Sequence, residues 1–182
     1  MKNRLFILLS FLVFAGYAQE SYTLSKESVL KINGSSTIHD WTVTANSLKG
    51  SLKMKDGDVT NLLLQVEVSK IKSERGAAMD IKMHVALKKE EHPQVSFKFK
   101  ELKKNPESEN AYGIHGMLNI AGVENAVTIV SEIKEEGGNY MFKGSKEIKL
   151  QDYNMEPPTA MFGQIIVGDN VTVEFDLVYT TE

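Results

Sequence analysis

The sequence predicts an all-β domain whose strands cover one another's apolar faces, in a sandwich or a closed barrel. Three observations predict it. Apolar residues alternate with mostly polar ones in Leu62, Leu64, Val66 and Val68, in Phe97 and Phe99, in Ile114, Leu118 and Ile120, and in Val171, Val173, Phe175 and Leu177. A period of two puts each set on one face of a strand. Turn-forming groups punctuate the chain at short intervals: Asn33-Gly34, Asp56-Gly57, Asn105-Pro106, Gly137-Gly138-Asn139 and Gly168-Asp169-Asn170. No second run of helices exists to cover a sheet, so the apolar faces must meet each other.

The elements follow in order. Residues 1–18 read as a cleaved export signal, with Lys2 and Arg4 before the apolar run Leu5 to Phe14 and with Gly16 and Ala18 at positions −3 and −1. That run is well short of the roughly 20 residues that span a bilayer. Residues 19–182 form one domain, undivided by a linker or a change of composition. About eight strands are expected in it, near 22–33, 40–54, 58–71, 94–103, 110–121, 124–134, 139–151 and 170–180. From Ala77 to Glu91 there is no Gly or Pro, and Met79, Met83 and Leu87 recur at a spacing of four. That spacing predicts one short helix over 77–91, ended by Pro93. The stretch Asn154 to Gln164 contains Pro157-Pro158 with Met155, Met161 and Phe162. A loop this apolar is expected to pack across an opening.

Composition excludes several classes. The chain has no cysteine, so it has no disulfide, no thiolate metal site, no cysteine nucleophile and no lipoprotein anchor after Ala18. Without Lys2 and Arg4 the basic count falls from 21 to 19 against 24 acids, leaving a charge of −5. This balance argues against nucleic acid as the partner. Nothing after residue 18 is long and apolar enough for a membrane-spanning helix. A membrane barrel would turn its apolar residues outward, whereas Lys98, Lys100, Thr172, Glu174 and Asp176 occupy the alternate face here and suit water.

Candidate sites divide into three groups. Alternation turns Leu48, Leu52, Leu62, Leu64, Val66, Val68, Phe97, Phe99, Ile114, Leu118, Ile120, Phe142, Ile148, Leu150, Val173, Phe175 and Leu177 inward. They form a packed core or the wall of an apolar cavity. Gly50, Gly116 and Gly144 fall within strands and mark bends in the wall or the close approach of a ligand. Met79, Met83, Leu87, Met155, Met161 and Phe162 form a mouth or lid, methionine being suited to chains of variable shape, or the helix merely plugs one end of the barrel. His39, His84, His92 and His115 lack the spacing of a metal motif, and no metal is expected. No Gly-x-Ser-x-Gly elbow is present, and Ser35, Ser36, His39 and Asp40 crowd one turn, where triads are rarely built. No catalytic residue is expected.

The chain resembles the YceI-like exported proteins. The resemblance runs through Gly34-Ser35-Ser36-Thr37-Ile38-His39-Asp40-Trp41, Leu48-Lys49-Gly50, Met79-Asp80-Ile81-Lys82-Met83-His84, Ala86-Leu87-Lys88, His92-Pro93-Gln94-Val95-Ser96-Phe97, Gly116 to Val123, and Gly168-Asp169. The His-Asp-Trp form at 39–41 is typical of one branch. The resemblance implies an eight-stranded antiparallel barrel of lipocalin-like shape with a short helix, binding an isoprenoid-type lipid or similar amphiphile. One departure stands out: Gln151 occupies a position where many members carry Arg beside the Asp, so no headgroup role transfers to it.

Together these readings predict a non-enzymatic carrier or sequestering protein, periplasmic or extracellular. Its ligand is expected to be an amphiphilic lipid such as a quinone or prenyl alcohol, with no other cofactor. The tail would lie against Leu62, Leu64, Val66, Phe97, Phe99, Leu118, Ile120, Phe142, Leu150, Val173 and Phe175. The headgroup would meet His39, Lys82 and Tyr153 at the mouth, where transient membrane contact is expected. The competing readings are a solid-cored structural or interaction module and, ranked below it, a histidine-based metal protein or enzyme. The oligomeric state, a dimer included, stays open.

Overall fold

The computed structural model describes residues 19–105, 110–160 and 162–181. The export signal expected over 1–18 and the lid residue Met161 lie outside the described residues.

Of twelve strand segments, β1 to β12 in chain order, eleven build a barrel of eight antiparallel strands, because three of those strands are broken in two. β1 (Glu20–Leu24) and β2 (Val29–Ser36) both pair with the last strand, β12 (Ile165–Thr181), at Leu24↔Tyr179 and Val29↔Asp176. β3 (Asp40–Ala45) and β4 (Leu48–Lys55) form the second strand. β5 (Asp58–Glu67) and β6 (Ile71–Ser73) form the third, interrupted by a 3-10 turn at Val68–Lys70. β7 (Gln94–Lys104), β8 (Ala111–Ile120), β9 (Val123–Glu136) and β10 (Asn139–Lys149) follow as a meander, and β12 closes the ring. The two-residue β11 (Thr159–Ala160) pairs only with the start of β12. Closure leaves the apolar sides facing a common interior.

Local chemistry explains the meander. Asp56-Gly57, Ala121-Gly122 and Gly137-Gly138 each have positive φ at both residues and join strands paired directly beside them. This is the two-residue hairpin turn whose twist matches the strands. The break expected between 121 and 124 falls here, although Ala121-Gly122 was not among the turn groups because alanine rarely adopts that conformation.

Three expectations are corrected. The helix α1 spans Ala77–Ala86 and stops five residues short of Glu91. Lys88 takes a left-handed conformation, and the N–H groups of Lys88 and Lys89 bond the carbonyls of Val85 and His84. That pattern ends a helix without glycine or proline, the signals on which the expected boundary relied. Asn33-Gly34 lies inside β2, where Gly34 leaves room for the ring of Trp41 on the paired strand. Gly168-Asp169-Asn170 is a bulge inside β12, between Val167 and Val171, so the strand starts earlier than residue 170.

One end of the barrel is filled. Tyr22, Leu52, Met54, Phe142 and Tyr179 are buried there, with Tyr22 edge-on to Tyr140 at 5.1 Å and Phe142 edge-on to Tyr179 at 5.5 Å. The in-strand glycines are approached by the protein's own groups. Phe97 lies over Gly116, Phe175 and the Val130 carbonyl crowd Gly144, and the Leu63 carbonyl faces Gly50.

Candidate functional site

The other half of the barrel is hollow. A cavity of about 270 Å³ runs from mid-barrel to the end that carries α1 and the segment after β10. For scale, about 150 Å³ of apolar void is enough to hold benzene. Leu62, Leu64, Val66, Phe97, Leu118, Ile120, Phe142, Leu150, Val173 and Phe175 all line it, as the alternation predicted. Phe99 does not. It lies one inward position further from the mouth on β7, just before a register shift, and packs against the filled core.

The mouth is built from three segments. α1 turns Met79 and Met83 toward the cavity, with Leu87 beyond its end, and Met155 and Pro158 approach from the segment after β10. The turn between β2 and β3 contributes Ser36, His39 and Trp41. Hydrogen bonds tie the segments together. Lys82 Nζ donates to the Thr159 carbonyl at 3.0 Å, and the Thr37 N–H donates to the Ile166 carbonyl at 3.0 Å. Trp41 Nε1 donates to the Ser35 carbonyl at 3.0 Å, which fixes the indole across the mouth side of β2.

Two further expected positions are corrected. Tyr153 is only 3% exposed and does not line the cavity. It ends the 3-10 turn Leu150–Tyr153, which packs where the β9–β10 ladder stops at Ser145↔Val130. Asn125 of β9 donates to the Asp152 carbonyl at 2.7 Å and holds this turn in place. Burial pushes the Tyr153 phenol above its usual pKa. Phe162 is fully exposed in the β11–β12 connection, with a left-handed backbone, and does not line the cavity.

α1 covers the barrel through polar contacts as well as methionines. Asp80 and His84 are its buried residues, and both bond to the backbone of β6. His84 Nε2 donates to the Ile71 carbonyl at 2.9 Å, a structural use that occupies the ring. The other histidines are dispersed: His39 at the mouth, His92 over Gly122, and His115 bonded through Nδ1 to Thr128 Oγ1 at 2.8 Å. Among the described residues, no three His, Asp or Glu side chains gather as metal ligands. No helix among them is long and apolar enough to cross a membrane.

Several cavity residues escaped the sequence reading, among them Leu30, Ile32, Val43 and Ile129 and two basic side chains. Arg75 lines the mouth just before α1, and Lys146 lines the interior from β10. Lys146 was legible in principle. It shares the inward phase of Phe142, Gly144 and Ile148, but a lysine is not sought among apolar positions.

Comparison with known proteins bears on family and fold. Residues 22–179 match a family model described as the YceI-like domain. No curated protein matches. Among solved structures, BcnA of Burkholderia cenocepacia is similar with a TM-score of 0.69 at 19% identity, over 83% of this chain and 95% of that one. A polyisoprenoid binding domain from Saccharophagus degradans, implicated in plant cell wall breakdown, gives 0.70 at 14% identity, over 88% and 98%. The YCEI protein of Campylobacter jejuni gives 0.64 at 16% identity, over 77% and 84%.

Proposed function

The chain belongs to the YceI-like domain family, and from that premise we propose that it is an exported, non-enzymatic binding protein for an isoprenoid-type lipid. The observation that carries this reading is the unfilled apolar cavity of about 270 Å³ at one end of an otherwise packed barrel. A packed interior is the rule in proteins, and a dry apolar void is unfavourable unless something fills it. A hydrocarbon tail entering it gains roughly 0.8 kcal/mol per buried CH₂. A structural neighbour described as a polyisoprenoid binding domain supports a prenyl tail. The leader pattern of residues 1–18 supports delivery to the periplasm or the extracellular space. We place the chain in the branch with His39-Asp40-Trp41.

A carrier must exchange its cargo with a bilayer. Ile38, Phe162 and Ile166 are exposed on the linked turns around the mouth, and they suit brief insertion among lipid tails. Met79, Met83 and Met155 line the path inward and adapt to a moving chain.

The test is organic-solvent extraction of the purified protein followed by mass spectrometry. A stoichiometric prenyl lipid supports the reading. Protein that carries no lipid and takes none up from vesicles containing a prenyl quinone or a prenyl phosphate sinks it.

A further inference from the structure

The hollow interior is not purely apolar. Its lining includes three charged side chains, Arg75, Lys82 and Lys146, and no carboxylate, although acids outnumber bases in the chain by 24 to 21. Arg75 and Lys82 are exposed at the mouth, whereas Lys146 lies within the barrel wall. It stands opposite Val173 on β12, three residues before the end of β10 at Lys149, or about 10 Å along the strand.

Neighbouring lysines show what is unusual about it. Lys143 and Lys149, on the outward phase of the same strand, each have a carboxylate partner: Asp176 at 3.4 Å and Asp169 at 3.9 Å. Lys146, turned inward, has no hydrogen-bond or ion-pair partner among the described residues. Lys146 is half-buried, and an ammonium set against an apolar lining without a partner adds nothing to the fold. An apolar residue in this phase, like Phe142 or Ile148, would serve the barrel better. The lysine has an explanation if the partner arrives with the ligand.

Resting on the lipid-binding reading above, we infer that the cavity takes amphiphiles with an anionic head, a carboxylate or a phosphate, and that Lys146 receives that head. A cationic head would meet only like charge. A neutral head would leave the ammonium without a counter-charge. An anion forms a charge-assisted hydrogen bond in surroundings of low polarity, where such bonds are strongest. The tail then fills the inner cavity against Leu62, Phe97, Leu118 and Leu177, and Arg75 and Lys82 draw the anion in at the mouth.

The experiment titrates delipidated protein with dodecanoate, dodecyl phosphate and dodecanol by calorimetry at neutral pH. At least one anion is expected to bind about tenfold or more tighter than the alcohol. The tighter of the two anions identifies the head. Lys146→Met keeps an unbranched side chain close to lysine in length and is expected to abolish the preference while retaining dodecanol binding. Lys146→Arg is expected to keep it, and a melting curve for each variant confirms folding. Equal binding of acid and alcohol to the native protein overturns the inference but leaves lipid binding standing. So does a preference that survives in Lys146→Met and disappears in the Arg75→Gln, Lys82→Gln double variant. Failure of all three compounds to bind overturns the lipid-binding reading and this inference with it.

Discussion

Asp80 and His84, one helical turn apart on α1, both grip the backbone of β6: Asp80 Oδ1 accepts the Ser73 N–H at 2.7 Å, and His84 Nε2 donates to the Ile71 carbonyl at 2.9 Å. The helix that roofs the cavity is thus fastened to the barrel wall by two polar contacts on its buried side. Met79 and Met83 are left free to face the interior.

Removing the first contact should loosen the roof. Asp80→Ala is expected to cost about 2 kcal/mol, the loss of a hydrogen bond to a charged group. Denaturant unfolding measures it. The Ser73 N–H, with Lys72 Nζ at 3.1 Å, holds the Asp80 carboxyl below its ordinary pKa, although burial opposes this. A depressed folded-state pKa contributes stability that is complete above the unfolded value and is lost as the pH falls through the folded one. The native protein should therefore lose stability more steeply than Asp80→Ala below the ordinary carboxylate range. Parallel acid-unfolding curves would contradict the assignment.

A hollow interior tolerates what a packed one does not. Val173 lines the cavity opposite Lys146, so Val173→Phe has space to enter. The variant is expected to melt within a few degrees of the native protein while its lipid occupancy falls severalfold. In a close-packed core the same change costs typically 1–3 kcal/mol. Thermal melting and the extracted lipid per mole of protein distinguish the two cases.

Phe162 carries a left-handed backbone at φ 56° and buries no side-chain surface. That conformation suits Asp better than Phe. Phe162→Asp should leave stability unchanged or slightly raised, yet weaken sedimentation with lipid vesicles severalfold. Unchanged vesicle binding would remove Phe162 from the membrane contact.

Tyr179 is fully buried, and its hydroxyl has no hydrogen-bond partner among the described residues. Burial pushes its pKa well up. An unmet buried donor costs about 1–3 kcal/mol, so Tyr179→Phe is expected to stabilise the barrel by about 1 kcal/mol. Denaturant unfolding decides it, and a loss of stability would reveal a partner such as a buried water.

Much of the barrel was legible because strand alternation is local: ten of the eleven proposed wall residues line the cavity. The mouth was less so. Tyr153 sits near Met155 in sequence, yet it is drawn into the gap where β9 and β10 part, a position set by distant pairing. The spacing of Met79, Met83 and Leu87 gave no sign that Asp80 and His84 face inward, and they do so because β6 offers backbone groups that each can bond.

By itself, the sequence determined an all-β chain with an apolar inside, one short helix, and methionines gathered on that helix and on the stretch after Leu150. These follow from periodicity and turn chemistry, which act over a few residues. Only the tertiary structure decided that one end of the barrel is filled and the other hollow, and that Lys146 stands in the hollow part. Filling depends on how rings such as Phe97, Phe175 and Tyr179 occupy the room above the glycines of neighbouring strands. That is a matter of volume across the barrel, which no local pattern records.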